Sequence, residues 1–181
     1  LLLQSLDLAD FAYLLDDSVE TSEIDYADYS DEVKALIDAC GRTTKFERCV
    51  ELAASLAQQN KPVIIWCMFV GSIQNLSEAL EEMGIRTRCI YGEVPLEERQ
   101  QILADFRCGN IQVLLTNPHT LAESVSLHSV CHDAIYFEYS YNLVHLLQSK
   151  DRIHRLGLPD DQYTQYYYHQ LSYQTEDGSW S

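Results

Sequence analysis

The chain has 181 residues, 46% of them hydrophobic, with only seven glycines and four prolines. That length and mixture suit one well-cored domain with an appendage; they exclude wholesale disorder and two ordinary domains. The formal net charge of −16 argues against the whole chain gripping a polyanion, because phosphate affinity comes from Lys and Arg displacing counterions.

The acidity is concentrated. Asp7, Asp10, Asp16, Asp17, Glu20, Glu23, Asp25, Asp28, Asp31, Glu32 and Asp38 face Lys34 alone in the first forty residues. That segment is unsuited to nucleic acid, and its charge run reads as a solvated face. The rest of the chain is only mildly negative, so a local basic patch is possible there.

In chain order, "LLLQSLDLADFAYLL" reads as an amphipathic helix cut from something longer. It has no basic flank, carries Asp7 and Asp10, and falls short of the ~20 apolar residues that cross a bilayer. "DDSVETSEIDYADYSDE" reads as an exposed acidic connector before a second helical segment.

From Lys45, the positions Phe46, Cys49, Val50, Ala53, Leu56 and Ala57 recur at helical spacing until "QQNKP" breaks the pattern. "PVIIWCMF" is a continuous apolar run of strand length, suited to a strand buried on both faces of a parallel sheet. Next comes a helix with Ile73, Leu76, Leu80 and Met83 on one stripe, Glu78, Glu81 and Glu82 turned outward, and Gly84 as cap.

"RTRCIY" is the second strand. "GEVPLEERQQILADFRCGN" supplies a loop, Pro95 at the first helical turn, a helix buried through Ile102, Leu103 and Phe106, and a Gly109-Asn110 stop. "IQVLLTN" and "DAIYFE" are further strands, "YNLVHLLQSKDRIHRLG" is helical, and "QYTQYYYHQL" alternates as a last strand. Strands alternating with helices imply an α/β fold, an open sheet wrapped on both faces.

Six cysteines, at 40, 49, 67, 89, 108 and 131, show no paired spacing. Buried reduced thiols in a cytoplasmic protein account for them most simply. A metal site from His128, Cys131 and His132 is the alternative, but it lacks a second ligand pair at zinc-like spacing.

The peptide "LQSKDRIHRLG" holds the densest cluster of cations. On a helix, Gln148, Asp151, Arg152 and Arg155 share one face, while Leu147 and Ile153 point inward. Paired guanidiniums on a rigid element suit a phosphate that gains charge in a transition state. A solvated helix whose charges pair internally is the plainer reading of the same spacing.

This peptide resembles the Gln-x-x-Asp-Arg-x-His-Arg-x-Gly signature that closes the second RecA-like lobe of Snf-type superfamily-two helicases and DNA translocases. Gln148, Asp151, Arg152, His154, Arg155 and Gly157 match in order. Across residues 43 to 171 other landmarks follow the family's sequence. "TTKFERCVELAASL" is similar to its Ser-x-Lys-leader helix through Lys45, and "VIIWCMFVGSIQNL" to its motif IV. "YGEVPLEERQQILADFRCG" is similar to its Gly…Glu-Arg…Phe segment through Gly92, Arg99 and Phe106. "VLLTNPHTLAESVSLHSVCHDAIYFE" stands in the place of motif V, with Leu121, Ala122 and Ser124 where the family has glycines, and Leu158 replaces a frequent glutamine.

The resemblance implies a RecA-like, mostly parallel sheet with helices on both faces over residues 43–171. An acidic helical extension (1–42) would precede it and a tail (172–181) follow. It implies ATP with Mg2+ in a cleft shared with an N-terminal RecA-like lobe of the same protein, since the sequence holds neither Gly-x-x-x-x-Gly-Lys-Ser/Thr nor an Asp-Glu box after a strand. By itself the chain should then be inactive.

Arg152 and Arg155 would act as arginine fingers positioned by Gln148, with Asp151 and Glu123 also at the nucleotide. Thr116, Asn117 and Arg99 would contact a nucleic-acid backbone, with duplex DNA favoured over RNA. A local turn or cap is an equal reading for Thr116. The altered motif V keeps a different class open, a degenerate lobe serving as scaffold or protein-interaction module. A free-standing flavodoxin-like domain would need more of a phosphate loop than Gly71 and Ser72 in "FVGSIQN".

Overall fold

The computed structural model describes residues 42–118, 120, 126–139, 143–153 and 163–170. The expected amino-terminal helix and acidic connector lie outside them, as do Leu121 to Ser124 and His154 to Leu158. Arg48–His169 form one compact unit.

Helix α1 (Thr44–Gln58) buries Cys49, Val50, Ala53, Leu56 and Ala57, the periodic apolar face of its sequence. It ends where Asn60 takes φ of 59°, a left-handed conformation that asparagine tolerates, and the Lys61 amide closes on the Leu56 carbonyl. Strand β1 (Val63–Trp66) follows, buried at every position.

Helix α2 (Val70–Glu82) buries Ile73, Leu76 and Leu80 and leaves Glu78, Glu81 and Glu82 exposed. Met83, expected on the buried stripe, is 50% exposed, because the helix has closed by then and Met83 is its C-cap. Gly84, at φ of 77°, then turns the chain as its amide bonds the Glu81 carbonyl.

Strand β2 (Thr87–Ile90) and helix α3 (Leu96–Arg107) come next. Pro95 is the N-cap of α3 rather than a residue of its first turn; its fixed φ suits either position, and its ψ of 149° is extended. Ile102, Leu103 and Phe106 are buried, and Gly109 at φ of 77° ends the helix. Strands β3 (Val113–Thr116) and β4 (Asp133–Tyr136), helix α4 (Leu143–Lys150) and strand β5 (Gln165–Tyr168) complete the described elements.

The five strands are all parallel in the order β2-β3-β1-β4-β5. A continuous apolar strand is what such a sheet requires, since each central strand is covered on both sides. Ile64, Trp66, Ile90, Leu114, Ala134 and Tyr136 pack with Ile102, Leu103 and Phe106 of α3. The opposite face carries α2, where Ser77 bonds Thr87 at 2.7 Å.

From β1 the chain runs outward to β2, whereas from β3 it passes over β1 to reach β4. The order therefore reverses between β1 and β4, and the carboxyl ends of those two strands flank a topological switch point, where ligands of such sheets bind. No helix of the described residues is long and apolar enough to cross a membrane.

Candidate functional site

The final residues of the strands form one registered row, Ile90, Thr116, Trp66, Tyr136 and Tyr168. Its aromatic half is stacked, with ring centroids 6.3 Å apart for Trp66 and Tyr136 and 4.8 Å for Tyr136 and Tyr168. Beyond this row the loops of β2, β3 and β1 lie side by side, each held by a different polar device.

After β2, Arg99 reaches back from α3. Its Nε donates to the Val94 carbonyl at 2.7 Å, and its Nη2 donates to the carbonyls of Gly92 at 2.8 Å and Tyr91 at 3.3 Å. The planar fork of donors suits this clamp in a way an ammonium would not.

After β3, Thr116 is fully buried and its hydroxyl donates to the Asn117 carbonyl at 3.4 Å. Asn117 Oδ1 accepts from the Thr120 amide at 3.1 Å, a local side-chain-to-backbone bond that closes the turn. The Cys67 amide joins the β1 loop to this turn through the Thr116 carbonyl at 3.0 Å.

After β1, helix α2 begins at Phe69, which has no side-chain acceptor to cap it. Glu138, two residues past β4, supplies that acceptor. Its Oε2 accepts from the amides of Met68 and Phe69 at 2.9 and 3.1 Å, and its Oε1 from the Ser72 hydroxyl at 2.6 Å. The carboxylate is thus buried but satisfied, and its charge lies at the positive end of the α2 dipole.

The peptide that begins at Gln148 is positioned differently. Helix α4 buries Ser149 and the turn after it buries Ile153, while Gln148 and Asp151 are exposed and Arg152 is half-buried. Leu147, expected inward, is 50% exposed. The inward positions are Leu146, Ser149 and Ile153, because Ser149 is satisfied by the Tyr136 hydroxyl at 2.8 Å and by the Leu146 carbonyl.

Three carbonyls at the end of α4 and in the turn after it are bonded by other segments. Tyr166 bonds that of Lys150 at 3.3 Å, the Leu127 amide that of Arg152 at 2.8 Å, and Thr164 that of Ile153 at 3.5 Å. The Lys150 ammonium lies over the rings of Tyr166 and Tyr168, 5.1 and 5.5 Å from their centroids. Burial, with Tyr168 and Asp151 adding, pushes the Tyr166 phenol up to about 12, so it donates to that carbonyl at any working pH.

The sequence-derived residues therefore separate into two groups. Thr116, Asn117 and the loop held by Arg99 lie at the carboxyl edge of the sheet. The Arg152 backbone lies at the opposite edge, beside Leu127 and next to the start of β5. Helix α4 closes at Lys150, so Asp151, Arg152 and Ile153 lie in the turn after it rather than on the longer helix the sequence suggests. Arg155 and Glu123 lie outside the described residues.

Sequence reasoning passed over Glu138 and Ser149, whose importance comes from distant partners. An acid ending the apolar run "DAIYF" was the one signal for Glu138. Among the described residues no three His, Cys, Asp or Glu side chains gather into a metal-sized group. The Cys131 thiol, pushed up to about 12 by burial, donates to the carbonyls of Pro62 and Asp133 at 3.3 and 3.4 Å.

Comparison with known proteins places this architecture. An ATP-dependent RNA helicase, p62 of Drosophila melanogaster, is 25% identical over 128 residues, covering 69% of this chain and 17% of the relative. The ATP-dependent helicase fft1 of Schizosaccharomyces pombe is 27% identical over 112 residues, covering 60% of this chain and 12% of the relative. The chain thus spans under a fifth of the length of either protein.

Among solved structures, the C-terminal part of the Fun30 ATPase domain superposes with a TM-score of 0.61 at 15% identity, covering 89% of this chain and 59% of that one. Dbp5 of S. cerevisiae, solved with RNA and ADP BeF3, superposes with a TM-score of 0.57 at 18% identity, covering 68% of this chain and 32% of that one. These likenesses show a RecA-like α/β fold. The family model for the helicase conserved C-terminal domain matches residues 44–157, and the chain belongs to that family.

Proposed function

We propose that residues 43–171 are the second motor lobe of an ATP-dependent helicase or translocase of Snf type, with 1–42 an acidic extension and 172–181 a tail. The observation that carries this reading is the anchored turn after α4 that bears Asp151 and Arg152, where the carbonyls of Lys150, Arg152 and Ile153 are bonded by Tyr166, Leu127 and Thr164. Such anchoring holds a guanidinium in place before the reaction, which is what electrostatic stabilisation of a transferring phosphoryl group needs.

In this reading ATP and Mg2+ are held mainly by an N-terminal RecA-like lobe of the same protein, and the 181-residue chain alone does not turn over ATP. Arg152 and Arg155 reach the γ-phosphate from the second lobe, Gln148 orients them, and Asp151 and Glu123 complete the nucleotide contacts. At the carboxyl edge of the sheet, Asn117, the Thr116 turn and the Arg99 loop follow a nucleic-acid backbone. Separation of the two groups lets one lobe touch nucleotide and nucleic acid at once.

Duplex DNA is the proposed track, from the Snf-like spelling of the Gln148–Gly157 peptide, although relatives include proteins named as RNA helicases. Five described cysteines are free thiols, which suits a reducing cytoplasmic setting.

The test is ATP turnover by the complete protein with duplex DNA and with single-stranded RNA, beside Arg155→Ala. The variant should retain ATP binding and lose ~10³-fold or more in turnover. Turnover retained by the variant would refute the finger assignment. A wild type that binds nucleic acid but never hydrolyses ATP would favour the scaffold reading, consistent with the side chains at Leu121, Ala122 and Ser124. Stimulation by RNA alone would reassign the track.

A further inference from the structure

We propose that Glu138 is a positioning residue for nucleic-acid binding, holding the β1–α2 corner in register with the Asn117 turn; this rests on the motor-lobe reading above. Glu138 joins segments 66 to 70 residues apart through three hydrogen bonds of 2.6 to 3.1 Å and is 8% exposed. The β1–α2 corner it holds is bonded on its other side to Thr116 through the Cys67 amide. The corner therefore lies between β4 and the β3 turn, held from both sides at its start.

Two physical roles can be distinguished for a carboxylate at a helix amino terminus. It can fill an anion site that would otherwise accept a phosphate, or it can fix the backbone that carries other contacts. Burial decides between them here. Glu138 and its bond to the Ser72 hydroxyl are buried, and the half-buried Met68 and Phe69 amides are already taken by the same carboxylate, so the corner offers a phosphate no open donor. Without the carboxylate those amides lose their acceptors and the corner relaxes, so ordering it becomes a cost of binding.

Glu138 also stands in sequence between β4 and α4, the helix that leads to Asp151 and Arg152. The same residue thus sets the strand end that leads to the nucleotide-facing helix and the corner that flanks the nucleic-acid edge.

The experiment uses the complete protein and a fluorescently labelled duplex oligonucleotide, reading anisotropy for affinity, ATP turnover against oligonucleotide concentration, and urea unfolding for integrity. Glu138→Ala should weaken oligonucleotide binding about tenfold, and the loss should appear in the half-stimulating concentration more than in turnover at saturation. Glu138→Gln, which keeps an acceptor for the amides, should restore affinity to within about threefold, and Ser72→Ala should cost about threefold.

A folded Glu138→Ala protein that binds as the wild type does would overturn the proposal. So would tighter binding, because the carboxylate would then have been excluding phosphate rather than placing the corner. If Glu138→Ala does not fold, Ser72→Ala decides: weaker binding supports positioning and unchanged binding rejects it. A wild type that binds the oligonucleotide without hydrolysing ATP defeats the motor reading alone, with the anisotropy series still judging Glu138. A wild type that binds neither DNA nor RNA defeats both.

Discussion

The hydrogen bond between Tyr136 and Ser149 gives a stability prediction with a distinctive signature. Both residues are buried, at 1% and 2% exposure, and the bond of 2.8 Å ties α4 to β4. Tyr136→Phe removes the phenol but leaves Ser149 bonded to the Leu146 carbonyl, so the loss should be that of one net hydrogen bond, about 1 kcal/mol. Ser149→Ala instead strands a buried phenol, at a cost of roughly 1–3 kcal/mol, offset by about 0.5 kcal/mol of better helix propensity. In the double variant no buried hydroxyl is orphaned, so its total should fall below the sum of the singles by about 1 kcal/mol.

Urea unfolding of the 181-residue chain and its three variants, analysed as a double-mutant cycle, measures this coupling. Each kcal/mol corresponds to a melting shift of about 2–4 °C for a chain of this size. Additive losses would show that the two hydroxyls do not couple α4 to β4.

Two further predictions concern titrating groups. Burial pushes the Cys131 thiol up to about 12, leaving a thiolate fraction near pH 8 of about one in ten thousand; native labelling at that pH should therefore modify exposed Cys108 and spare Cys131 until the chain unfolds. Comparable labelling of both would contradict the burial of Cys131. Burial also lowers the His132 imidazolium from its ordinary value, opposed by Asp133 and reinforced by His128. The unfolded chain then takes up the proton first, so stability is full above pH ~6.5 and declines as pH falls through that value toward the lower folded one. Melting at pH 7.5 and 5.0 should show a smaller acid loss for His132→Asn than for wild type, and equal losses would show that His132 does not set the acid dependence.

The three central strands were legible because a parallel sheet covered on both faces demands continuous apolar runs, and "VIIW", "VLLT" and "DAIY" supply them. The helices were legible where one stripe faced the sheet, as Ile73, Leu76 and Leu80 do. Reading failed where a polar residue is buried by a partner far away in sequence. Leu147 was the hydrophobic choice for the inner face of α4, yet Ser149 occupies that face because the Tyr136 hydroxyl satisfies it.

The same limit governs the candidate site. The sequence suggests that Gln148, Asp151 and Arg152 share a helical face, but α4 closes at Lys150 and the latter two lie in the turn after it. Glu138 is meaningful only beside Met68, Phe69 and Ser72, and Arg99 only beside the carbonyls of Tyr91, Gly92 and Val94. Those pairings arise from strand order, which periodicity does not specify. That Thr116 would be fully buried was likewise hidden in "VLLTN", whereas its bond within the local turn matches one of the two readings the sequence allowed.

The most direct measurement is nucleic-acid-stimulated ATP hydrolysis by the complete protein, with Arg155→Ala and the 181-residue chain in parallel. Turnover in the wild type, with losses of ~10³-fold or more in the variant and none detected from the chain alone, is the result predicted for a second motor lobe carrying the arginine finger. Turnover by the variant at the wild-type rate, or by the chain alone, would contradict it.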